Sequence, residues 1–261
     1  MRIAIVGVGM LGKDLVSVLE EAGHDVTSFN SSYDICDVKW MWKIVLHCDL
    51  VIHCAAFTNV DLCEYEVAAA CKINIEGTNN VAMFCEQEDI PMIYISTDQV
   101  FDGKNIFRYC EKSIPDPKNV YGMTKYLGER VVESIVKKHY ILRTAWLYGK
   151  HKSNYIDYYR NSEGSACVPD SISNPTSTVA LSRMISKLIS VMPESGIYNA
   201  VCSGSVSKKE LAEKLSPGID CEKWSSMAPR PYRTDLSNDK LAAVIGPIPT
   251  WEQSLQEYLG E

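Results

Sequence analysis

The sequence predicts a Rossmann-like α/β fold, in which a doubly wound parallel sheet carries a small C-terminal substrate-binding lobe. Three observations predict it. Short apolar runs bounded by turn residues alternate with longer helical patterns, as in repeated βαβ units. The runs are almost continuously apolar, which is typical of strands covered by helices on both faces. A glycine-rich stretch, GVGMLG at 7–12, directly follows the first run, as a nucleotide-binding loop would.

The elements alternate regularly in the first part of the chain and irregularly after residue 149. Strands are predicted at 2–6, 25–29, 50–54, 92–96 and 140–145, and helices at 10–22, 37–48, 68–87 and 120–138. A polar stretch, a helix near 176–192, a strand at 196–201 and a helix opened by a Ser207 and Glu210 capping box follow. We therefore expect a dinucleotide-binding domain at 1–149 and a mainly smaller substrate-binding lobe at 150–261. The helix near 176–192 is expected to pack back on the first domain.

Composition excludes several classes of function. A net charge of -7 argues against a sequence-independent nucleic-acid binder, which needs an excess of Lys and Arg. The ten cysteines form no CxxC pair or compact Cys/His cluster, so no metal site is predicted. No apolar run approaches the roughly 20 residues that span a bilayer, and the chain opens on a strand pattern rather than a signal peptide. We expect a cytoplasmic protein with reduced cysteines.

The glycine loop is the first candidate site. Gly7, Gly9 and Gly12 follow a strand and open a helix, so they permit a tight turn and a close approach of backbone N–H groups to a pyrophosphate. Met10 and Leu11 complete this cofactor-binding segment. The alternative is a glycine-rich turn that binds nothing.

The end of the second predicted strand bears on the choice of cofactor. Enzymes that use NAD usually carry an acid there, about 20 residues after the loop, for the ribose hydroxyls. Asn30 and Ser31 occupy the corresponding positions, so no carboxylate repels a 2′-phosphate and no arginine holds one. We expect NADPH, with NADH also usable. Asp34 and Ile35 could flank the adenine, although an acid after a turn is often a helix cap.

The candidate chemistry depends on Tyr121 and Lys125, which lie one helical turn apart on the same face. A cation near a phenol favours the phenolate and lowers its pKa, which makes the hydroxyl a better proton donor. The lysine can also hold ribose hydroxyls. Thr97 stands at the carboxyl end of the fourth strand, where ligands bind in open α/β sheets, although its hydroxyl could merely bond the local turn.

An ordered set of motifs extends this interpretation over nearly the whole chain. They are VIHCAAFTNVD (51–61), KINIEGTNNVA (72–82), STDQVFDG (96–103), NVYGMTKYLGE (119–129), ILRTAWLYG (141–149), NPTST (174–178) and APRPYRTDLSNDKL (228–241). With these motifs the chain resembles the extended short-chain dehydrogenase/reductase superfamily and, within it, the dTDP-4-dehydrorhamnose reductase family.

The resemblance implies hydride transfer from a reduced nicotinamide to the C4 ketone of a dTDP-linked 6-deoxy-sugar. It implies that Tyr121 protonates the oxygen, that Lys125 tunes Tyr121 and binds ribose, and that Thr97 holds the carbonyl. It adds further cofactor-binding residues, Ala55, Ala56 and Thr58, and further substrate-binding residues, Asp98, Gln99, Trp146 and Arg230. From the residues alone, Trp146 could equally belong to the core.

Some features depart from the family, and other functions stay open. The glycine loop is one residue shorter than the usual GxxGxxG, Gln99 stands where a tyrosine is common, and the stretch near 150–168 is short. The acids with which some members bind magnesium have no recognisable counterpart. The alternatives are another nucleotide-sugar reductase or epimerase, or a non-catalytic NADP-binding regulatory subunit resembling the methionine adenosyltransferase beta subunit. The expected partner is a nucleotide-sugar, with a homodimer left open.

Overall fold

The computed structural model describes residues 1–37 and 48–260. Its strands are β1 (Arg2–Val6), β2 (Asp25–Phe29), β3 (Leu50–His53), β4 (Met92–Thr97), β5 (His139–Thr144), β6 (Leu147–Tyr148), β7 (Ser165–Val168), β8 (Ile172–Ser173), β9 (Thr176–Ser177), β10 (Gly196–Asn199), β11 (Val206–Ser207) and β12 (Asp220–Lys223). Its α-helices are α1 (Met10–Glu21), α2 (Val60–Tyr65), α3 (Val67–Cys71), α4 (Thr78–Gln87), α5 (Val120–Ile135), α6 (Tyr155–Arg160), α7 (Thr178–Val191), α8 (Lys208–Leu215), α9 (Asp239–Ile245) and α10 (Trp251–Leu259). A π-helix spans Lys72–Gly77 and a 3₁₀ turn spans Asp98–Val100.

The predicted Rossmann-like class is confirmed. Within the described residues, six parallel strands form one sheet in the order β10-β5-β4-β3-β1-β2. The predicted strands agree with the structure to within one residue at each end, except the strand predicted at 196–201, which ends two residues earlier at Asn199. The helix predicted at 37–48 falls almost entirely outside the described residues. The single helix predicted at 68–87 is wrong in detail, because a π-helix separates α3 from α4.

The strand order reverses beside β1, and this reversal positions the candidate site. The chain runs from β1 to β2 on one side and continues through β3 on the other, so a crevice opens at the carboxyl ends of β1 and β3. Gly7 lies at the bottom of this crevice, where its backbone N–H donates to the Phe29 carbonyl at 2.8 Å. A Cβ at Gly7 would lie 2.3 Å from the Ala55 nitrogen, so only glycine fits there.

The second half of the chain shares the core of the first. β10 pairs with β5 and forms an edge of the main sheet. On α7, Leu181 and Ile185 are buried in the same apolar cluster as Leu15 and Leu19 of α1. Short strand pairs, β7 with β12, β8 with β11 and β6 with β9, build the remaining lobe. The boundary at residue 149 therefore stays a prediction.

Among the residues that the structure describes, no helix is both long enough and apolar enough to span a bilayer.

Candidate active site

Gly7, Gly9 and Gly12 of the glycine loop differ in what surrounds them. A Cβ at Gly12 would lie 2.4 Å from the Gly7 carbonyl oxygen, so close packing of helix on strand requires glycine there. A Cβ at Gly9 would meet nothing within 4 Å, and Gly9 is the N-cap of α1 without a side-chain cap. Open space beside free N–H groups at a helix N-terminus is the cradle a pyrophosphate needs. Met10 is half-buried beside Gly149, and Leu11 belongs to the core.

Past β2, the residues predicted to face the adenosine separate into two groups. Asn30 and Ser31 are exposed, and the Asn30 side chain accepts hydrogen bonds from the Ser32 amide at 2.9 Å and from its hydroxyl at 2.6 Å. The Asp34 carboxylate accepts from the Cys36 amide at 2.9 Å, as in a turn. Ile35 is only 6% exposed. The exposed pair is therefore better placed to meet a cofactor than the Ile35 side chain.

The loop after β3 is held in place by a buried asparagine. Asn74 accepts from the Phe57 amide at 2.7 Å and donates to the Phe57 carbonyl at 3.2 Å and to the Thr124 hydroxyl at 2.9 Å. It therefore ties this loop, with half-buried Ala55 and Ala56 and exposed Thr58, to helix α5 next to Lys125.

Asn74 was missed because the sequence there resembles an ordinary helix. The structure instead places it in the π-helix, and π-helical turns frequently occur at functional sites. The available signal was a polar residue between two isoleucines in KINIEG.

Helix α5 begins against the turn that follows Thr97. Asn119 caps the helix, since its side chain accepts from the Gly122 amide at 2.8 Å. A Cβ at Gly122 would lie 2.1 Å from the Gln99 carbonyl oxygen, so the first helical turn can pack on that backbone only with glycine there. The structure thus brings Tyr121 to Thr97, which is 6% exposed at the end of β4.

Desolvation has the largest effect on the pKa of Tyr121. Desolvation raises the pKa of the phenol, an interaction with the Thr97 hydroxyl opposes the rise, and the Asp98 charge adds to it. The expectation that Lys125 lowers this pKa is wrong. The Lys125 ammonium lies 4.0 Å from the centre of the Tyr94 ring, and burial lowers its own pKa to about 7. Tyr121 therefore keeps its proton and can donate it.

A buried ion pair lies beneath these residues. Arg143 of β5 donates to Glu129 of α5 through two nitrogens, at 2.9 Å and 2.7 Å, and the Ser96 hydroxyl donates to the same carboxylate at 2.6 Å. The Glu129 charge also raises the pKa of Lys125, against the larger effect of burial. The network joins β4, α5 and β5 directly under the candidate catalytic residues.

The low pKa of Lys125 predicts a pH effect on stability. Between about pH 7 and the ordinary value of 10.5, the unfolded chain holds this proton and the folded chain does not, so stability rises with pH. From pH 7 to pH 9, we expect the free energy of unfolding of the wild type to rise relative to Lys125→Met by about 2 kcal/mol. Urea denaturation across this range measures the difference, and a constant difference would contradict the pKa.

On the lobe side, Asp98 joins the two halves of the site. Its carboxylate is buried and accepts from the hydroxyls of Ser173 at 3.0 Å, of Thr97 at 3.2 Å and of Thr234. Desolvation raises the pKa of Asp98. Because its oxygens already have these donors, Asp98 is placed to orient Thr97. The Gln99 side chain accepts from Asn119 at 2.9 Å.

The other two predicted substrate residues border the lobe. Arg230 pairs with Asp61 of α2 at 2.8 Å, and its guanidinium lies 5.1 Å from the centre of the Trp224 ring. Trp146, just past β5, is half-buried and has a left-handed φ of 41°. Such strain in a non-glycine residue concentrates at functional sites. This geometry favours a site role for Trp146 over simple core packing.

Within 1–37 and 48–260, no group of three or more His, Cys, Asp or Glu side chains is placed to hold a metal ion.

A family model described as the RmlD substrate binding domain matches residues 1–261. The chain belongs to this family. The spore coat polysaccharide biosynthesis protein SpsK of Bacillus subtilis is 33% identical, and the match covers 97% of this chain and 94% of that protein. The dTDP-4-dehydrorhamnose reductase of Mycolicibacterium smegmatis is also 33% identical, over 98% of this chain and 84% of its own length.

A solved structure agrees with the RmlD assignment. The dTDP-4-dehydrorhamnose reductase of Bacillus anthracis in complex with NADP is 32% identical and superposes with a TM-score of 0.91, covering 99% of this chain and 98% of that one. The resemblance to extended short-chain dehydrogenases/reductases that the motifs indicated is confirmed.

Proposed function

We propose that the protein is an NADPH-dependent oxidoreductase that reduces the C4 ketone of a dTDP-4-dehydro-6-deoxy-sugar, as a dTDP-4-dehydrorhamnose reductase does. One observation carries the proposal: in a chain of the RmlD family, Tyr121 and Thr97 meet at the carboxyl edge of the sheet, one helical turn from Lys125. The neighbouring crevice fits a dinucleotide, because open space surrounds Gly9 at the start of α1.

The residues divide the chemistry among them. Reduced nicotinamide, when bound, supplies the hydride. Tyr121, whose phenol is protonated at neutral pH, donates its proton to the sugar oxygen as charge develops there. On substrate binding, the Thr97 hydroxyl redirects its single proton from Asp98 to the same oxygen and so fixes the carbonyl. Lys125 binds the cofactor ribose, and the Glu129 charge favours its protonated form.

Residues Asn30 and Ser31 support the choice of NADPH. Both are exposed past β2, and both lack the negative charge that would repel a 2′-phosphate. The related protein from Bacillus anthracis was solved with NADP. NADH is expected to serve as a weaker substitute, since neither residue supplies a positive charge.

Two rival functions are less well supported. A regulatory subunit has no need of Thr97, Tyr121 and Lys125, and all three are present in one site. An epimerase on the same fold would retain its oxidised cofactor and return the hydride, whereas a reductase releases it. A cytoplasmic location and a homodimer stay predictions.

The proposal is tested by the absorbance of reduced nicotinamide. Purified protein is mixed with NADPH or NADH and with dTDP-4-dehydro-L-rhamnose generated in the same tube. We expect one cofactor oxidised per sugar and faster oxidation of NADPH. Binding of NADPH, seen by fluorescence, without any oxidation would contradict the reductase and favour a regulatory role.

A further inference from the structure

A lysine at the start of α8 is buried against two aromatic rings. The Lys208 ammonium lies 3.9 Å from the centre of the Trp146 ring and 3.0 Å from that of Tyr155, and the residue is 7% exposed. In the part of the chain that the structure describes, 1–37 and 48–260, its ammonium forms no ion pair and no hydrogen bond with any side chain or carbonyl. Lysines are almost never buried without such a partner.

The electrostatic surroundings leave this ammonium poorly compensated. Burial lowers the pKa of Lys208 well below its ordinary value, and the charge of Asp98 opposes this from beyond ion-pair distance. Asp98 already accepts hydrogen bonds from Ser173, Thr97 and Thr234. The faces of the two aromatic rings attract the cation but accept no hydrogen bond from it, so a ligand that supplies an acceptor would recover free energy.

The position of Lys208 indicates which ligand that is. Trp146, which it covers, follows β5 at the carboxyl edge of the sheet, the same edge at which Thr97 ends β4. The Tyr155 hydroxyl donates to the Trp146 carbonyl at 2.6 Å and holds this strained residue in place. Lys208 is therefore near both Trp146 and the residue that orients Thr97, on the side where the sugar would lie.

We propose that Lys208 is a specificity-determining residue that donates a hydrogen bond to an oxygen of the substrate's sugar beside Trp146. This inference rests on the proposed function, because it assigns the contact to the sugar of a nucleotide-sugar. The hydroxyl groups of a sugar ring supply hydrogen-bond acceptors, which the faces of the Trp146 and Tyr155 rings do not. Specificity would follow because a sugar without that oxygen leaves the buried ammonium unpaired.

The test compares dTDP-L-rhamnose, the product of the proposed reaction, with dTDP, which has no sugar. Calorimetry gives the affinity of each ligand for the wild type, for Lys208→Met and for Lys209→Met, an exposed neighbour on the same helix that serves as the control. The ratio of the two affinities measures the contribution of the sugar. We expect Lys208→Met to lower this ratio by about 10- to 100-fold, the worth of a hydrogen bond to a charged group.

Other readouts separate this role from a structural one. The affinity for dTDP should be unchanged in Lys208→Met, KM for the keto-sugar should rise more than kcat falls, and the melting temperature should stay equal or rise because a buried charge is gone. The same loss is expected for Lys208→Leu, which repeats the measurement should the methionine variant prove unstable. Lys209→Met should behave as the wild type.

One result would overturn the inference: a wild-type affinity ratio in Lys208→Met, which would remove the sugar contact. Should that variant also be less stable than the wild type, Lys208 would be a counter-charge for Asp98. Because binding is measured without turnover, failure of the wild type to oxidise NADPH would count against the reductase alone. Failure of the wild type to bind either nucleotide would contradict both proposals.

Discussion

Replacement of Tyr121 by phenylalanine is expected to lower kcat for keto-sugar reduction by about 100-fold or more, the usual effect of losing a positioned proton donor. The substitution removes a single hydroxyl and keeps the ring, so folding and NADPH affinity should be unchanged. Turnover is measured by the loss of reduced-nicotinamide absorbance, and NADPH affinity by fluorescence titration.

A second tyrosine on α5 provides the control for this substitution. Tyr126 packs partly buried against the apolar cluster of Val100, Phe101 and Tyr109, away from the proposed chemistry. Tyr126→Phe should keep kcat within about twofold of the wild type, since surface or partly buried hydroxyl losses away from the reacting atoms do not change the barrier. Wild-type turnover in Tyr121→Phe would remove Tyr121 from the mechanism.

Gly7→Ala is expected to abolish NADPH binding and to cost more than about 3 kcal/mol of folding stability. The added Cβ would lie 2.3 Å from the Ala55 nitrogen and 2.8 Å from the Cys54 carbonyl carbon, and backbone cannot give way as a flexible side chain can. The residue also has a φ of 100°, which disfavours any side chain by about 1–2 kcal/mol. The steric clash of the added Cβ and the strained backbone of residue 7 therefore both lower the stability of Gly7→Ala.

Two other glycines separate the causes. Gly23 has a φ of 82° with nothing within 4 Å of its added Cβ, so Gly23→Ala should show only the conformational cost and bind NADPH normally. Gly9 has a φ of -86° and open space, so Gly9→Ala should fold as the wild type but bind NADPH more weakly. Urea denaturation and fluorescence titration measure both properties. Equal stability of Gly7→Ala and Gly23→Ala would show that the backbone moves aside.

The features predictable from sequence are those with a local cause. The strands and the glycine loop each consist of consecutive residues, so a local pattern is enough to predict them. Parallel strands, moreover, all end at one edge of the sheet. The sequence alone could therefore place Thr97 near Tyr121. The helical spacing also placed Lys125 on the same face as Tyr121.

What sequence could not predict depends on contacts between distant segments. The spacing of Tyr121 and Lys125 does not reveal that the ammonium lies over Tyr94, so the direction of the Tyr121 pKa was predicted wrongly. Glu129 and Arg143 meet across two elements. Lys208 belongs to a capped helix whose second lysine, Lys209, is exposed, and no local pattern distinguishes the two.

Hydride transfer to C4 of the sugar is tested most directly with NADPH that carries deuterium at C4 of its nicotinamide on the transferred face. The product is analysed by mass spectrometry and by proton NMR. We expect one deuterium per product, located at C4 of the sugar and lost together with turnover in Tyr121→Phe. Product without deuterium, or cofactor that is never released oxidised, would contradict hydride transfer by a reductase.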